Sequence, residues 1–396
     1  MSMVGSLGAG SLGAGRNMRF EFATATRIVF GEGTAATLPE LARSFGARPL
    51  VVTGTSAERA AWLVSALEAE TFAVPGEPTV ELVRAGARRV QDAGCDVVIA
   101  MGGGSAIDAG KAIAALATNG GEPLEFLEVV GKGRAIAVAP LPFIAVPTTA
   151  GTGSEVTRNA VLGSEEHGVK ASLRSPMMLP RVALVDPELT YGLPPAVTAQ
   201  TGLDAMTQLI EPYVSVRANP LVDAICVEGM GRVARALRRA YHDGGDGEAR
   251  RDMALASLFG GLALANAGLG VVHGLAAPLG GRGKAPHGAL CAALLPHGMA
   301  ANVAALRARA PQNPALERYA AIARLLTGRN EASAEEGIDW VRALCAELKI
   351  PALRAWGIAE ADLPAVVEKA ARASSMQANA LPLTNEELLA VLTAAW

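Results

Sequence analysis

Hydrophobic and polar positions change rhythm once along this chain. Up to about residue 189, short apolar runs at 27–30, 50–53, 97–101, 143–146 and 182–185 alternate with longer segments at 35–45, 57–69, 79–93 and 106–117. The runs are too short for helices, while the segments between them repeat apolar residues every three or four positions. Strand, helix, strand in that order predicts a parallel sheet covered by helices. After Pro194-Pro195 the strand signals fade, and the pattern predicts helices over 196–214, 221–241, 248–267, 287–307, 314–327, 334–348, 360–373 and 385–395. Two of these open with a reciprocal cap signature, Ser333 with Glu336 and Thr384 with Glu387. The expectation is an α/β domain over 17–190 and an all-helical domain over 191–396. Ahead of them, residues 1–16 repeat GSLGAG and read as a flexible leader, without the basic start or long apolar run of a signal peptide.

Composition narrows the function classes. The 396 residues are 51% apolar and 18% charged, which supports two buried cores and argues against disorder. The balance of 35 basic against 38 acidic residues, −3 overall, gives no electrostatic reason to expect nucleic acid or an anionic membrane. No uninterrupted apolar stretch approaches the roughly 20 residues of a membrane span. The most apolar segment, 135–147, is cut by Pro140 and Pro142. Cys95, Cys226, Cys291 and Cys345 are scattered without a CxxC pair and read as reduced core thiols. A cytoplasmic protein is expected.

Three stretches could carry chemistry. GGGSAIDAGK (102–111) follows an apolar strand and opens a helix. Its glycines let the backbone turn tightly and approach a ligand, Ser105 and Asp108 could cap the helix, and Lys111 lies one turn further on. Such a helix start suits a pyrophosphate, although a plain Gly-rich connector is also compatible and neither GxGxxG nor GxxxxGK[ST] is matched. PTTAGTGSEVT (147–157) also follows a strand, and its dense hydroxyls and glycines suit a loop that holds polar ligand atoms or a simple turn. Two such loops at strand ends reinforce each other, since open α/β sheets bind ligands at their carboxyl edge. The third set is dispersed. Asp204 and Gln208 share a helix face, while His273 and His287 lie in glycine-flanked apolar segments with little polar company. One carboxylate and two imidazoles form a reasonable Zn²⁺ or Fe²⁺ set, against the alternative of satisfied core histidines. His167 and His242 read as solvated loop residues, and His297 is a weaker candidate.

Taken together, GGGSAIDAGK (102–111), PTTAGTGSEVT (147–157), DPELTYGLPP (186–195), TGLDAM (201–206), IEPYVS (210–215), GVVHGLAAPLGG (270–281) and PHGALCAALLPH (286–297) resemble the iron-containing alcohol dehydrogenase family, group III. The resemblance runs in order from Phe20 to near the C-terminus. It implies a Rossmann-like dinucleotide domain followed by an all-α domain, the dehydroquinate synthase-like architecture, with nicotinamide and metal in the cleft between. It also implies a homo-oligomer acting on a small alcohol or carbonyl compound with NAD or NADP and with Fe²⁺ or Zn²⁺. Carried over residue by residue, Gly54, Gly103, Gly104, Ser105, Asp108, Thr148, Thr149, Ser154, Asn159, Lys170 and Leu189 would contact or shape the cofactor site. Asp204, His273 and His287 would be the catalytic metal ligands.

The chain departs from the family pattern at three places. Gln208 stands where a fourth histidine ligand is usual and would be a weak ligand. Ala277 stands where many members carry a histidine of the proton relay, so the proton would need water or the nicotinamide ribose. Gly54 falls where NAD-preferring relatives place an aspartate, so with Ser56 and Arg59 following, NADP is tolerable. A substrate pocket is expected near Phe143, Leu162, Leu269 and residues 280–284. Two other readings stay open: a metal-independent maleylacetate reductase-like activity using Arg217, Arg282 and Lys284 for a dicarboxylate, and a non-catalytic member with a decayed metal site.

Overall fold

The structure, a computed structural model, describes residues 19–128, 130–164, 169–282 and 285–396. The leader, His167 and Lys284 lie outside the described residues.

The first part of the chain runs β1 (Arg27–Phe30), α1 (Leu38–Arg43), β2 (Pro49–Thr53), α2 (Ala61–Leu67), β3 (Glu70–Ala73) and α3 (Val80–Ala93). It continues through β4 (Val97–Gly102), α4 (Gly104–Asn119), the short α5 (Pro123–Phe126), β5 (Phe143–Pro147), β6 (Asn159–Ser164), β7 (Val169–Arg174) and β8 (Val182–Val185). Six strands form a sheet in the order β1-β8-β5-β4-β2-β3, with every pairing parallel. Successive strand residues face opposite layers. Leu50, Val52, Val98 and Ala100 pack against Val83, Val90, Ile107 and Ile113 of α3 and α4. Val51, Val97, Ile99 and Val146 pack against Leu38 and Leu63 of α1 and α2. Burial on both faces explains why these strands read as continuous apolar runs.

From β2 the chain crosses to β3 at one edge, and from β4 it crosses toward β5 on the other side. The carboxyl ends of β2 and β4 are therefore the point where the winding reverses, the usual place for a ligand on such a sheet. Here the two backbones meet: a Cβ on Gly102 would lie 3.1 Å from the Gly54 nitrogen.

The remainder is helical: α6 (Pro195–Val214), α7 (Pro220–His242), α8 (Gly247–Ala267), α9 (Val271–Leu279), α10 (His287–Arg309), α11 (Ala315–Thr327), α12 (Ala334–Glu347), α13 (Leu363–Ala370) and α14 (Asn385–Ala395). Both anticipated capping boxes are present, at α12 and α14. Although α10 has the length and apolarity of a membrane span, most of its surface is buried inside the helical domain.

Four elements differ from the pattern's prediction. Strand β3 sits at the sheet edge with half its residues outward, so its sequence lacks an apolar run. In the antiparallel hairpin β6–β7, strand β6 alternates half-buried and buried positions and rests on α4 through Ala160 and Leu162. Helix α9 is apolar all round and therefore shows no helical rhythm.

Candidate active site

The cofactor-type residues gather at the carboxyl edge of the sheet. Gly103 is the N-cap of α4, with extended backbone and no side-chain cap. The expected capping by Ser105 and Asp108 is thus not what the structure shows, and the first N–H groups of α4 are left open to an anion. Asp108 instead accepts a short hydrogen bond from the Ser154 hydroxyl and one from the Val161 N–H at 2.9 Å. It therefore ties α4 to the loop after β5 and to the hairpin.

Lys111 is fully buried and turns away from the helix start. Its ammonium donates to the Ser154 carbonyl at 3.0 Å, the Thr157 hydroxyl at 2.9 Å and the Asn159 carbonyl at 2.5 Å, and lies 3.3 Å from Asp108. Burial depresses its pKa, while Asp108 and Glu155 pull it back up. Burial likewise pushes the Glu155 carboxyl up to about 7, against its own backbone N–H and Lys111. This buried polar group fixes the shape of the 147–157 loop.

That loop joins the two domains. A Cβ on Gly103 would lie 3.6 Å from Thr149, and one on Gly104 would collide with Thr152 at 2.7 Å. On the far side, Gly151 presses on Thr201 of α6, and Gly153 lies backbone to backbone against Gly261 of α8. Thr148 is held by its N–H to the Gly102 carbonyl at 2.9 Å. Lys170 of the hairpin packs on Gly280 at the end of α9 and pairs with Glu77 at 3.4 Å. The Leu189 carbonyl accepts from Arg59 at 3.0 Å, as does that of Tyr191 at 3.1 Å, so this guanidinium already has partners.

The dispersed histidines converge. Nε2 of His273 lies 3.4 Å from Asp204 Oδ1, and Nε2 of His287 lies 3.9 Å from the same oxygen. The fold produces this by crossing α6, α9 and the first turn of α10, where Gly288 lets α10 approach the Gln200 carbonyl and the Thr201 nitrogen of α6. Asp204 Oδ1, His273 Nε2 and Gln208 Oε1 are buried with no hydrogen-bond partner among the described residues. Orphaned atoms of this kind normally have a ligand, and a divalent ion suits an oxygen and two imidazole nitrogens.

His273 has more polar company than its sequence neighbours suggest. Its Nδ1–H meets Glu211 at 2.7 Å, and the other Glu211 oxygen accepts the Val272 N–H at 2.6 Å. Glu211 falls seven residues after Asp204 on the same helix, a spacing that gains meaning once α9 brings His273 against it. Cys291, read from sequence as a core thiol, lies 3.5 Å from His287 Nε2, one turn further along α10. One ligand atom from each of Asp204, His273, His287 and Cys291 falls within 4.8 Å of the others.

Charge in the cluster is mutually compensated. Burial raises the Asp204 carboxyl, but His287 and His273 bring it below the ordinary range. Burial lowers His273, but Cys291, Glu211 and Asp204 lift it well above the usual imidazole value. His287 is raised to about 9, by Cys291 foremost and then by Asp204, against desolvation.

Other candidates fall elsewhere. Phe143 starts β5, at the opposite edge of the sheet from the 102–104 and 147–153 loops, where it lines a cavity with Leu141 and Met178, while Leu162 belongs to the core under α4. Leu269 is half-buried just before α9. His242 is exposed beside Glu347, and His297 faces a separate cavity with Arg342 and Cys345. Arg282 is paired with Asp362, and Arg217 is exposed.

Known proteins share this fold. Residues 25–187 match the family model of iron-containing alcohol dehydrogenase, and residues 198–396 match the C-terminal model of the Fe-containing alcohol dehydrogenase family. Alcohol dehydrogenase 4 of Saccharomyces cerevisiae is 39% identical over 320 residues, covering 81% of each chain. A crystal structure of 1,3-propanediol oxidoreductase superposes with a TM-score of 0.86 at 34% identity, over 96% of this chain and 100% of the other. A sulfoacetaldehyde reductase from Bifidobacterium kashiwanohense, solved in complex with NAD+, gives a TM-score of 0.84 at 29% identity, over 96% and 99%. With both halves of the chain matched to its models, this protein belongs to the iron-containing alcohol dehydrogenase family.

Proposed function

We propose that the chain interconverts a small alcohol and its aldehyde or ketone by hydride exchange with NAD or NADP, with Asp204, His273 and His287 holding Fe²⁺ or Zn²⁺. The oxidoreductase class follows from family membership. The observation that carries the residue assignment is the convergence of these three side chains, with orphaned ligand atoms, one loop away from the sheet's carboxyl edge.

Each part of the chain has a role in this reading. The uncapped start of α4 with Gly103, Gly104 and Ser105 receives the pyrophosphate. Thr148 and Thr149 line the adjoining wall, and Asp108, Ser154, Asn159 and Lys111 keep that wall in shape. Glu211 holds the proton on Nδ1 of His273, which turns Nε2 toward the substrate side. A bound divalent ion supplies Lewis-acid polarisation of the substrate oxygen. This reading takes the domain boundary at 190/191 and puts the reacting groups where the two domains meet.

Neutral substrates fit this cluster best, since the buried Asp204 carboxylate opposes a dicarboxylate and Arg282 is already engaged by Asp362. Position 54 lacks a carboxylate, and Ser56 beside it is exposed, which supports acceptance of both NAD and NADP. The near-neutral net charge fits a cytoplasmic homo-oligomer that acts on small molecules without nucleic acid or membrane.

A panel of alcohols and aldehydes with both nicotinamides tests the reading. His273→Ala and His287→Ala should each abolish metal-dependent turnover while nucleotide binding persists. Full turnover in either variant would refute the assignment.

A further inference from the structure

We propose that Cys291 is the fourth protein ligand, making the site an Asp/His/His/Cys set that selects zinc over iron(II). The inference rests on the metal reading above and adds a residue and a selectivity to it.

The geometry is close to that of a four-ligand shell, to which a substrate oxygen would add as a fifth ligand. Zinc bonds of 2.0–2.3 Å to O, N and S place tetrahedral ligands about 3.3–3.8 Å apart. Here Asp204 Oδ1 and His273 Nε2 are 3.4 Å apart, Asp204 Oδ1 and His287 Nε2 are 3.9 Å apart, and Cys291 Sγ and His287 Nε2 are 3.5 Å apart. Two of these edges fall within that range and the third is 0.1 Å beyond it, while all four ligand atoms lie within 4.8 Å of one another. Cys291 sits one turn after His287, so both project from one face of α10, and its side chain is shielded from solvent. The orphaned Asp204 Oδ1 and His273 Nε2 are a separate sign of a ligand at this spot.

The donor chemistry favours the sulfur over the amide of Gln208. A neutral amide oxygen is a weak ligand, whereas a thiolate is a strong and soft one that prefers zinc. With Asp204 it supplies two negative charges, matching the divalent ion in a buried place. As the sulfur–zinc bond forms, the S–H bond breaks and its proton passes to solvent; no oxidant or reductant is needed.

Cobalt(II) substitution of the full-length protein reads the bond directly. The native protein loaded with Co²⁺ should show the intense near-ultraviolet thiolate-to-cobalt absorption. Cys291→Ser and Cys291→Ala should lose it and bind Zn²⁺ at least ~10-fold more weakly, with a smaller change for Fe²⁺. Cys345→Ser should keep the band, and circular dichroism should show every variant folded. Stoichiometric cobalt without the band, or a band that survives in Cys291→Ala, would overturn the role of Cys291 and leave the metal reading standing. Failure of the native protein to take up Zn²⁺, Fe²⁺ or Co²⁺ would overturn both.

Discussion

Glu211 and His273 are joined by a 2.7 Å hydrogen bond between two buried side chains on different helices, α6 and α9. The carboxylate fixes which imidazole nitrogen bears the proton and holds the ring at the crossing. Glu211→Gln keeps an acceptor for only one of the two N–H groups now served and removes the charge. Supporting groups of this kind are worth 10–100-fold in metal affinity. Chelator competition should show zinc released about tenfold more readily from the variant. Unchanged retention would mean that Glu211 is only a helix tether.

The cradle at α4 allows a cleaner test than most glycine sites. Gly103 has φ −73 with extended backbone, and a Cβ there would make an ordinary 3.6 Å contact with Thr149. Gly103→Val should therefore fold, yet its branched side chain would occupy the approach to the helix N-terminus. NAD(P)H fluorescence titration should lose its signal while the melting temperature stays close to the native value. A normal titration would remove this loop from the cofactor site. Gly104 would not serve, because its Cβ would strike Thr152.

Much of this was legible in the sequence where one layer of interaction dominates. The central strands announce themselves because both faces are buried, and the caps at Ser333 and Thr384 because the signal is local. Asp204, His273 and His287 stood out because histidine is scarce in this chain. Glu211 and Cys291 did not, since their spacings of seven and four along predicted helices acquire meaning only once α6, α9 and α10 are seen to cross. Phe143 lies just before the 147–157 loop in sequence, but four residues of strand carry it roughly 13 Å away at about 3.3 Å each, to a cavity at the other end of the sheet.

The buried Glu155 makes a prediction about pH. Its folded pKa of about 7 lies above the ordinary carboxyl value of 4.5, so the folded state binds more protons than the unfolded state between the two. Stability is then greatest below about 4.5 as far as this group is concerned, and falls as pH rises through 7. Glu155→Gln removes the titration. Its stability relative to the native protein should improve from pH 5 to pH 8 by roughly 1–3 kcal/mol, at about 1.4 kcal/mol per unit. Parallel stability curves in urea across that range would show that Lys111 already compensates the charge.

The two domains are pressed together at Gly153 and Gly261, and this contact reverses an ordinary rule. Glycine inside a helix costs about 1 kcal/mol relative to alanine, so replacing it usually stabilises. Gly231 of α7 follows the rule: a Cβ there would meet nothing within 4 Å, and Gly231→Ala should gain about 0.5–1 kcal/mol. Gly261 of α8 is also helical, but its Cβ would lie 2.3 Å from the Gly153 carbonyl oxygen. Backbone cannot rotate aside as a side chain does, so the loop carrying Ser154 would have to lift off α8. Overpacking of this kind costs about 1–3 kcal/mol, more than the propensity gained. Gly261→Ala should therefore destabilise, and because the displaced loop is also the proposed wall of the cofactor site, nucleotide affinity should fall with it. Equal stabilisation of both variants in denaturant titrations would show that the loop yields freely, and that the contact does not set the domain spacing.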